Sequence, residues 1–464
     1  MCVFASSLED LRVEVSGELQ QLHPGLAAKF MSLRYQVSRP GITLGRFESG
    51  GGRAKAALQL DHVIEEISRK PGFENFLMSP NEEETREISS SGPVVVITTC
   101  PMRCDAIIIQ PHQVRGLRLS HLSHEDILDN LQRGNINNLK VLEWLWDVLT
   151  SPILDALGFT QSPSNGEAWP RIWWIPIGPL SKFPIHAAGY HRHRTKNTVM
   201  DRVASSYSTS VKSMIQTRRR ATPAPSRPER AVLVPVPQTT GHATLKFVKE
   251  EATRVGSLCR SMGFDVIEPQ PRMESVAPHM AGCKIFHFAG HGSVNPSDPS
   301  LSQLLLEDWK TQELTVAMIQ EMNLRSGSPF LAYLSACGTG RIRQSSHLDE
   351  NTHLISAFRI AGFRHVIGTL WEVNDECCVR VAERTYEEML NQGISDDAVC
   401  LGLHTAIREA RYEWEQRAEA SRDRLRKQGR THYLSVDRDR DIEECDTNDD
   451  LQVPEWVPYV HFGV

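Results

Sequence analysis

The sequence lacks the marks of a secreted, membrane-spanning or metal-binding protein. Residues 1–10 hold no basic region followed by a long apolar run, so we expect no secretory signal. No stretch approaches the ~18 consecutive apolar residues that cross a bilayer. The ten cysteines are scattered, without the paired spacing of a zinc finger. We therefore expect a cytoplasmic protein with reduced thiols, no metal ion and no membrane contact.

The chain also lacks positive charge and internal repeats. Its net charge is −6, which provides no general attraction to nucleic acid or to an anionic membrane. No period of about 34 residues, as in tetratricopeptide repeats, is visible. What is present is enough apolar sequence for real cores: 40% of the 464 residues are hydrophobic and 23% are charged. That length predicts two or three domains.

Two short apolar runs, each stopped by glycines, organise the chain. Residues 283–289 lead directly into a Gly-His-Gly sequence that contains His291, and residues 330–335 lead into Cys337. Apolar runs of this length bounded by glycine are typical of strands buried in a parallel sheet. Because such sheets carry functional loops at the carboxyl ends of their strands, we expect His291 and Cys337 to meet at one edge.

A cysteine and a histidine are the minimum for thiol nucleophilic catalysis. His291 would act as the base for the Cys337 thiol, and the backbone N–H groups of Gly292 and Cys337 would hold the oxyanion. A histidine about 50 residues before a cysteine in such a setting is the arrangement of caspases. Two alternatives remain: a scaffold that binds without catalysis, and a structural α/β protein with a chance Cys/His pair.

These residues belong to a set of motifs that resembles the CHAT domain, a caspase-like and separase-like cysteine peptidase module. The resemblance covers roughly residues 90–464. The motifs that carry it are HFAGHG at 287–292, LSAC at 334–337, GPL at 178–180, Pro184, HAAG at 186–189, SSY at 205–207, AGF at 361–363, GTLW at 368–371, Asp375 and PYVHFG at 458–463.

The resemblance implies a function and a set of partners. It predicts a cysteine endopeptidase with a His-Cys dyad that needs no cofactor and acts in regulated proteolysis, in signalling or cell death. Its partners would be a protein substrate and a regulator bound through the N-terminal helices. The alternative within the family is a caspase-like scaffold or binding module whose catalysis is dispensable.

The predicted fold class is α/β, a caspase-like, mainly parallel sheet with helices on both faces. Helical periodicity predicts an N-terminal helical segment over residues 1–88. A pseudo-protease α/β half would occupy 89–216 and a Pro-rich, charged linker 217–229. The catalytic half would occupy 230–464, with a charged insertion, as a solvated helix or disorder, at about 408–450.

Four further residues have assigned roles. We expect His186 to open a buried helix or to order a loop. We expect His287 to be structural because a bend at Gly290 would break its alignment with His291. Trp371 and Asp375 are substrate-binding candidates, since this stretch resembles the separase segment that binds a basic substrate side chain. The alternative is that Asp375 caps the helix that begins there.

Overall fold

The computed structural model describes most of the chain. The described residues are 19, 22–38, 51–71, 73, 76, 80–134, 136, 138–164, 166–192, 196–219, 229–295, 298–322, 324–336, 354–427 and 454–464. Among the helices in these ranges, none combines the length and the apolar character that a membrane crossing requires.

Helices and strands alternate along most of the chain. The helices are α1 (Pro24–Ser38), α2 (Gly51–Ser68), α3 (Glu82–Glu87), α4 (His124–Gln132), α5 (Leu139–Leu145), α6 (Ser151–Leu157), α7 (Val211–Arg219), α8 (Val248–Ser261), α9 (Met273–Met280), α10 (Val316–Glu321), α11 (Leu354–Ala361), α12 (Asp375–Gln392) and α13 (Asp396–Lys427). The strands are β1 (Val94–Cys100), β2 (Arg103–Gln110), β3 (Gln113–Arg118), β4 (Arg171–Pro176), β5 (Ala204–Tyr207), β6 (Arg230–Pro235), β7 (Asp265–Ile267), β8 (Ile285–Ser293), β9 (Gln303–Leu305), β10 (Leu314–Thr315), β11 (Leu331–Ala336), β12 (His365–Thr369) and β13 (Tyr459–Phe462).

The strands form one continuous sheet that crosses both predicted halves. Within the described residues its order is β7-β6-β8-β11-β12-β13-β5-β4-β1-β2-β3. The carboxyl end of β8 also pairs with β9, and β9 pairs with β10. The run from β7 to β12 is parallel, and β13 is antiparallel to β12 and parallel to β5. The predicted α/β class with a mainly parallel sheet is therefore confirmed.

Side chains that alternate along the central strands form apolar cores on both faces of the sheet. Phe286, Phe288 and Leu334 face one apolar core with α9, α10 and α11, whereas Ile285 and Tyr333 face the other with α8, α12 and α13. Because successive side chains point to opposite faces, a run that is apolar at every position suits a strand covered on both sides. This accounts for the unbroken apolar runs in the sequence.

A buried chain of hydrogen bonds crosses the junction between the halves. The Asp396 carboxylate accepts from His365 Nε2 at 2.8 Å, His365 Nδ1 accepts from His461 Nε2 at 3.0 Å, and His461 Nδ1 accepts from the Ser206 hydroxyl at 2.9 Å. The carboxylate only accepts, which fixes the proton positions along the chain. Burial lowers the pKa of His365 to about 4 and that of His461 well below its ordinary value, so both rings are neutral at pH 7.

Two of the predicted boundaries fall within helices. Helix α7 runs to Arg219, and Thr217 is buried, with its side chain and carbonyl accepting hydrogen bonds from Arg359 and Arg364 of the predicted catalytic half. Helix α13 carries the first part of the predicted charged insertion as far as Lys427. Residues 220–228 of the predicted linker and 428–450 of the insertion lie outside the described residues.

Candidate active site

The strand that carries His291 is fixed on both sides before it reaches the site. β8 pairs in parallel with β6 and with β11, and the last β11 pair joins Gly290 to Ala336. Gly290 cannot be exchanged for a larger residue without movement, because an added Cβ would lie 2.9 Å from the Phe288 ring and 3.1 Å from Val236. The glycine before His291 therefore serves close packing.

The strand continues straight through Gly290, contrary to the predicted bend. His291, Gly292 and Ser293 pair in antiparallel fashion with β9, His291 opposite Leu305. The register is kept, so His287 and His291 project toward the same side of the sheet. The expectation of a broken register was wrong because β9 continues the pairing of β8 beyond the end of β11.

His291 is oriented by one backbone carbonyl. Its Nε2 lies 2.8 Å from the carbonyl oxygen of Ala243, in the loop that precedes α8. Because a carbonyl oxygen can only accept, Nε2 carries the proton and Nδ1 holds the lone pair in the neutral ring. The same carbonyl stabilises the ring when it is protonated. The arrangement leaves Nδ1 as the basic atom of His291.

An aromatic row flanks His291. The His242 ring lies 5.1 Å from the His291 ring and 5.9 Å from the Trp309 ring, measured between centroids. The Lys310 ammonium lies 5.6 Å from the Trp309 ring centroid. Desolvation, and then the positive charges of His291 and Lys310, lower the pKa of His242. The lowered pKa favours the neutral form of the His242 ring beside His291.

The neighbouring strand β11 ends at the same edge of the sheet as the paired part of β8. It ends at Ala336, whose carbonyl oxygen accepts a hydrogen bond of 3.1 Å from Thr369 Oγ1 on β12. Cys337 is the next residue in the sequence and lies outside the described residues, as does its backbone N–H. Gly292, the other predicted oxyanion donor, lies in the extension of β8 opposite Leu304.

The two substrate-binding candidates follow β12. Trp371 is half-buried and packs against both apolar cores. Asp375 is the first residue of α12, but Asn374 is the residue that caps this helix, accepting from Glu376 N. The alternative in which Asp375 caps its own helix is thus wrong. Its Oδ2 accepts instead from the backbone N–H groups of Lys246 at 2.7 Å and Phe247 at 3.2 Å.

His287 has both ring nitrogens occupied. Its Nε2 lies 3.0 Å from Glu251 Oε1 on α8, its Nδ1 lies 3.2 Å from the hydroxyl of Tyr386 on α12, and its ring stacks on Tyr333. Both His287 and Glu251 are about 1% exposed. No nitrogen of this ring is left to act on a substrate, and the side chain joins two helices to the sheet.

His186 also lies in the interior. Its Nδ1 lies 2.8 Å from the Tyr207 hydroxyl, and its Nε2 lies 2.9 Å from the carbonyl oxygen of Val457. Burial lowers the pKa of His186 to about 4, against a smaller opposing effect of the Val457 hydrogen bond. The ring bridges β5 and the segment before β13, which is the kind of ordering role that we expected.

Sequence reasoning missed the backbone groups that contact His291 and Asp375. Ala243 contacts His291 through its carbonyl, and Lys246 and Phe247 contact Asp375 through their N–H groups, so their side chains carry no signal of these contacts. Thr369 belongs to a recognised motif, yet the sequence does not reveal that its hydroxyl supports the end of β11. The sequence predicts the ends of β8 and β11. It does not predict which carbonyl and N–H groups lie beside them.

Comparison with known proteins gives the following matches. The family model described as the CHAT domain matches residues 139–463. Among solved structures, the separase–securin complex of Saccharomyces cerevisiae aligns with 10% identity and a TM-score of 0.46, covering 82% of this chain and 32% of that chain. The Arg-specific cysteine proteinase gingipain R aligns with 12% identity and a TM-score of 0.38, covering 60% of this chain and 70% of that chain. No curated protein sequence matches.

Proposed function

Because this chain belongs to the CHAT domain family, we propose that it is a cysteine endopeptidase that uses His291 as base and Cys337 as nucleophile. The observation that carries the proposal is the contact between His291 Nε2 and the Ala243 carbonyl, at 2.8 Å. It leaves the basic Nδ1 on a ring held at the sheet edge. β11 pairs with β8 up to Gly290 and Ala336, and Cys337 follows Ala336 directly.

The reaction that this arrangement supports is acyl transfer through a thioester. His291 Nδ1 takes the proton of the Cys337 thiol, and the thiolate attacks the scissile carbonyl carbon. The tetrahedral intermediate expels the amine, which leaves with the proton from His291. A water molecule then attacks the thioester, giving its proton to the same nitrogen, and the collapse returns the thiol and releases the carboxylic acid. The imidazolium of both steps donates to the Ala243 carbonyl.

The negative charge of the intermediate requires hydrogen-bond donors. We assign this role to the backbone N–H groups of Gly292 and Cys337. One such donor is worth about 10²- to 10³-fold in rate in other hydrolases. The substrate is a protein, and selection of a basic side chain by Asp375, beside Trp371, remains a prediction. Asp375 Oδ2 already accepts hydrogen bonds from two backbone N–H groups. Only part of the hydrogen-bonding capacity of its carboxylate is therefore open to a substrate.

Control of the activity is part of the proposal. Family membership suggests selective proteolysis in signalling or cell death, switched by a partner at the N-terminal helices. Helices α1 and α2 have an apolar core of their own around Phe30 and Val63. Leu58 is 71% exposed and Leu22, just before α1, is 64% exposed, so both side chains are accessible to a partner.

A labelling experiment tests the dyad without knowledge of the natural substrate. A peptide chloromethyl ketone should alkylate the wild type at Cys337, and neither Cys337→Ala nor His291→Ala should be labelled. Cys100→Ala is the matched control, since Cys100 is the one described cysteine that is not fully buried. A peptide library should be cleaved by the wild type and by Cys100→Ala only. Cleavage that persists in Cys337→Ala would exclude the cysteine peptidase and favour another role for the scaffold.

A further inference from the structure

The carboxylate of Asp375 connects α12 to the loop that orients His291. Its Oδ2 accepts from Lys246 N at 2.7 Å and from Phe247 N at 3.2 Å, at the N-terminus of α8. Phe247 precedes α8, and this helix has no capping hydrogen bond from the Phe247 side chain. A carboxylate also suits the positive end of a 14-residue helix. Asp375 therefore supplies, from a distant part of the chain, the cap that the local sequence does not.

The loop held by this carboxylate is the one that contains Ala243. Two backbone bonds close the loop on either side of Ala243, from His242 N to Thr239 O and from Leu245 N to Pro237 O, each 3.0 Å long. Its end is fixed by Asp375. The Ala243 carbonyl lies between these anchors, three residues before Lys246, and contacts His291 Nε2.

We propose that Asp375 is a positioning residue, which fixes the loop so that the Ala243 carbonyl holds His291 in the Nε2–H tautomer. The inference rests on the proposed peptidase function and deepens it. Asp375 acts on the base through the loop and needs no contact with the reacting atoms. Its adjacent residue Asn374 caps α12, so the Asp375 carboxylate is not required for that purpose.

The expected effect follows from the geometry of general base catalysis. The base works only when Nδ1 faces the thiol within hydrogen-bond reach. Release of the loop frees the ring to rotate, and a misplacement of about 1 Å costs roughly 100-fold in rate. Asp375→Ala should therefore lower kcat by about 100-fold with little change in KM. Asp375→Asn should keep most of kcat, because an amide oxygen accepts the same two N–H bonds.

Asn374→Ala is the matched control. It removes the side-chain cap of the same helix one residue earlier and leaves the Asp375 bonds in place. A general weakening of α12 would lower kcat in Asn374→Ala and Asp375→Ala alike, and that result would overturn the inference. Loss of Arg or Lys cleavage in Asp375→Asn, with neutral substrates still cleaved, would also overturn it, because the carboxylate would then be serving the substrate.

A second measurement needs no activity and separates this inference from the proposed function. In the Cys337→Ala background, ¹⁵N NMR of the imidazole nitrogens should show His291 as a single Nε2–H tautomer. Adding Asp375→Ala should give a mixture of tautomers, and adding Asp375→Asn or Asn374→Ala should not. An unchanged His291 signal in Asp375→Ala would refute the positioning role, even if the enzyme is active. An absence of any peptidase activity in the wild type would refute the proposed function. The NMR result would still decide whether Asp375 fixes the loop that orients His291.

Discussion

His287 and His291 lie four residues apart on one strand and project toward the same side of the sheet, yet their surroundings differ. His287 is enclosed by Glu251, Tyr386 and Tyr333, with both nitrogens occupied. His291 is partly exposed and contacts Ala243 through Nε2, and among the described residues none bonds its Nδ1. The difference shows that position on a strand does not determine the role of a histidine. What determines it is which nitrogens the surrounding elements leave open.

The largest expected effect concerns activity and separates the two histidines. His291→Ala removes the proposed general base and should lower kcat/KM by about 10⁴-fold, with the thermal midpoint almost unchanged, because the side chain makes one described hydrogen bond at the edge of the sheet. Combination with Cys337→Ala should add little, since both residues serve the same step. Peptide hydrolysis and differential scanning calorimetry measure the two quantities. A large loss of stability in His291→Ala would indicate that His291 has a structural role, like the buried histidines.

The next effect concerns stability and uses the partner of His287. Glu251→Ala leaves the Nε2 atom of His287 buried without its acceptor, and loss of one member of such a pair costs about 3 kcal/mol. Glu250→Ala is the control one residue earlier on α8, because Glu250 is 44% exposed and pairs with Arg254 on the surface. That change should cost less than about 1 kcal/mol.

Urea denaturation gives both free energies of unfolding. Glu251→Ala should keep kcat at a temperature where it is folded. Loss of hydrolysis in the folded variant would contradict the division of roles between His287 and His291.

How much of this site the sequence reveals depends on how local the signal is. The runs before His291 and Cys337 predict strands because glycine and apolar residues are adjacent in the chain. The pairing of β8 with β9, the Ala243 contact and the link from Asp375 to Lys246 join segments that are distant in sequence, and all three use backbone atoms that any residue possesses. The alternative of Asp375 as a helix cap was wrong because Asn374, equally suited to that position, occupies it.

The interior histidines predict that the stability of the fold falls in acid. Burial lowers the pKa of His186, His191 and His365 from 6.5 to about 4. The unfolded chain therefore binds more protons than the folded chain between pH 6.5 and pH 4. Stability from these groups is complete above pH 6.5 and falls as the pH drops toward 4, by about 2 kcal/mol per histidine at pH 5.

Thermal midpoints measured between pH 7.5 and pH 4.5 test this linkage. The midpoint should be nearly flat above pH 6.5 and fall steeply below it. His365→Gln, which keeps a neutral polar side chain, should flatten the acid slope. A slope that is unchanged in His365→Gln would mean that this ring takes up its proton in the folded protein without cost.

The smallest expected effect concerns the end of the strand that precedes Cys337. Thr369→Val keeps the side-chain shape and the preference for a strand but removes the hydroxyl that donates to the Ala336 carbonyl at 3.1 Å. Removal of such a bond costs about 1 kcal/mol of stability. Thr385→Val is the matched control, because its buried hydroxyl donates at 2.7 Å to the Val381 carbonyl within α12, away from both strand ends. The two variants should lose similar stability, while only Thr369→Val should lower kcat, because the carbonyl that it releases belongs to the residue before Cys337, the proposed nucleophile. Equal kcat in the two variants would mean that strand pairing holds the end of β11 and that the Thr369 hydroxyl is not needed for activity.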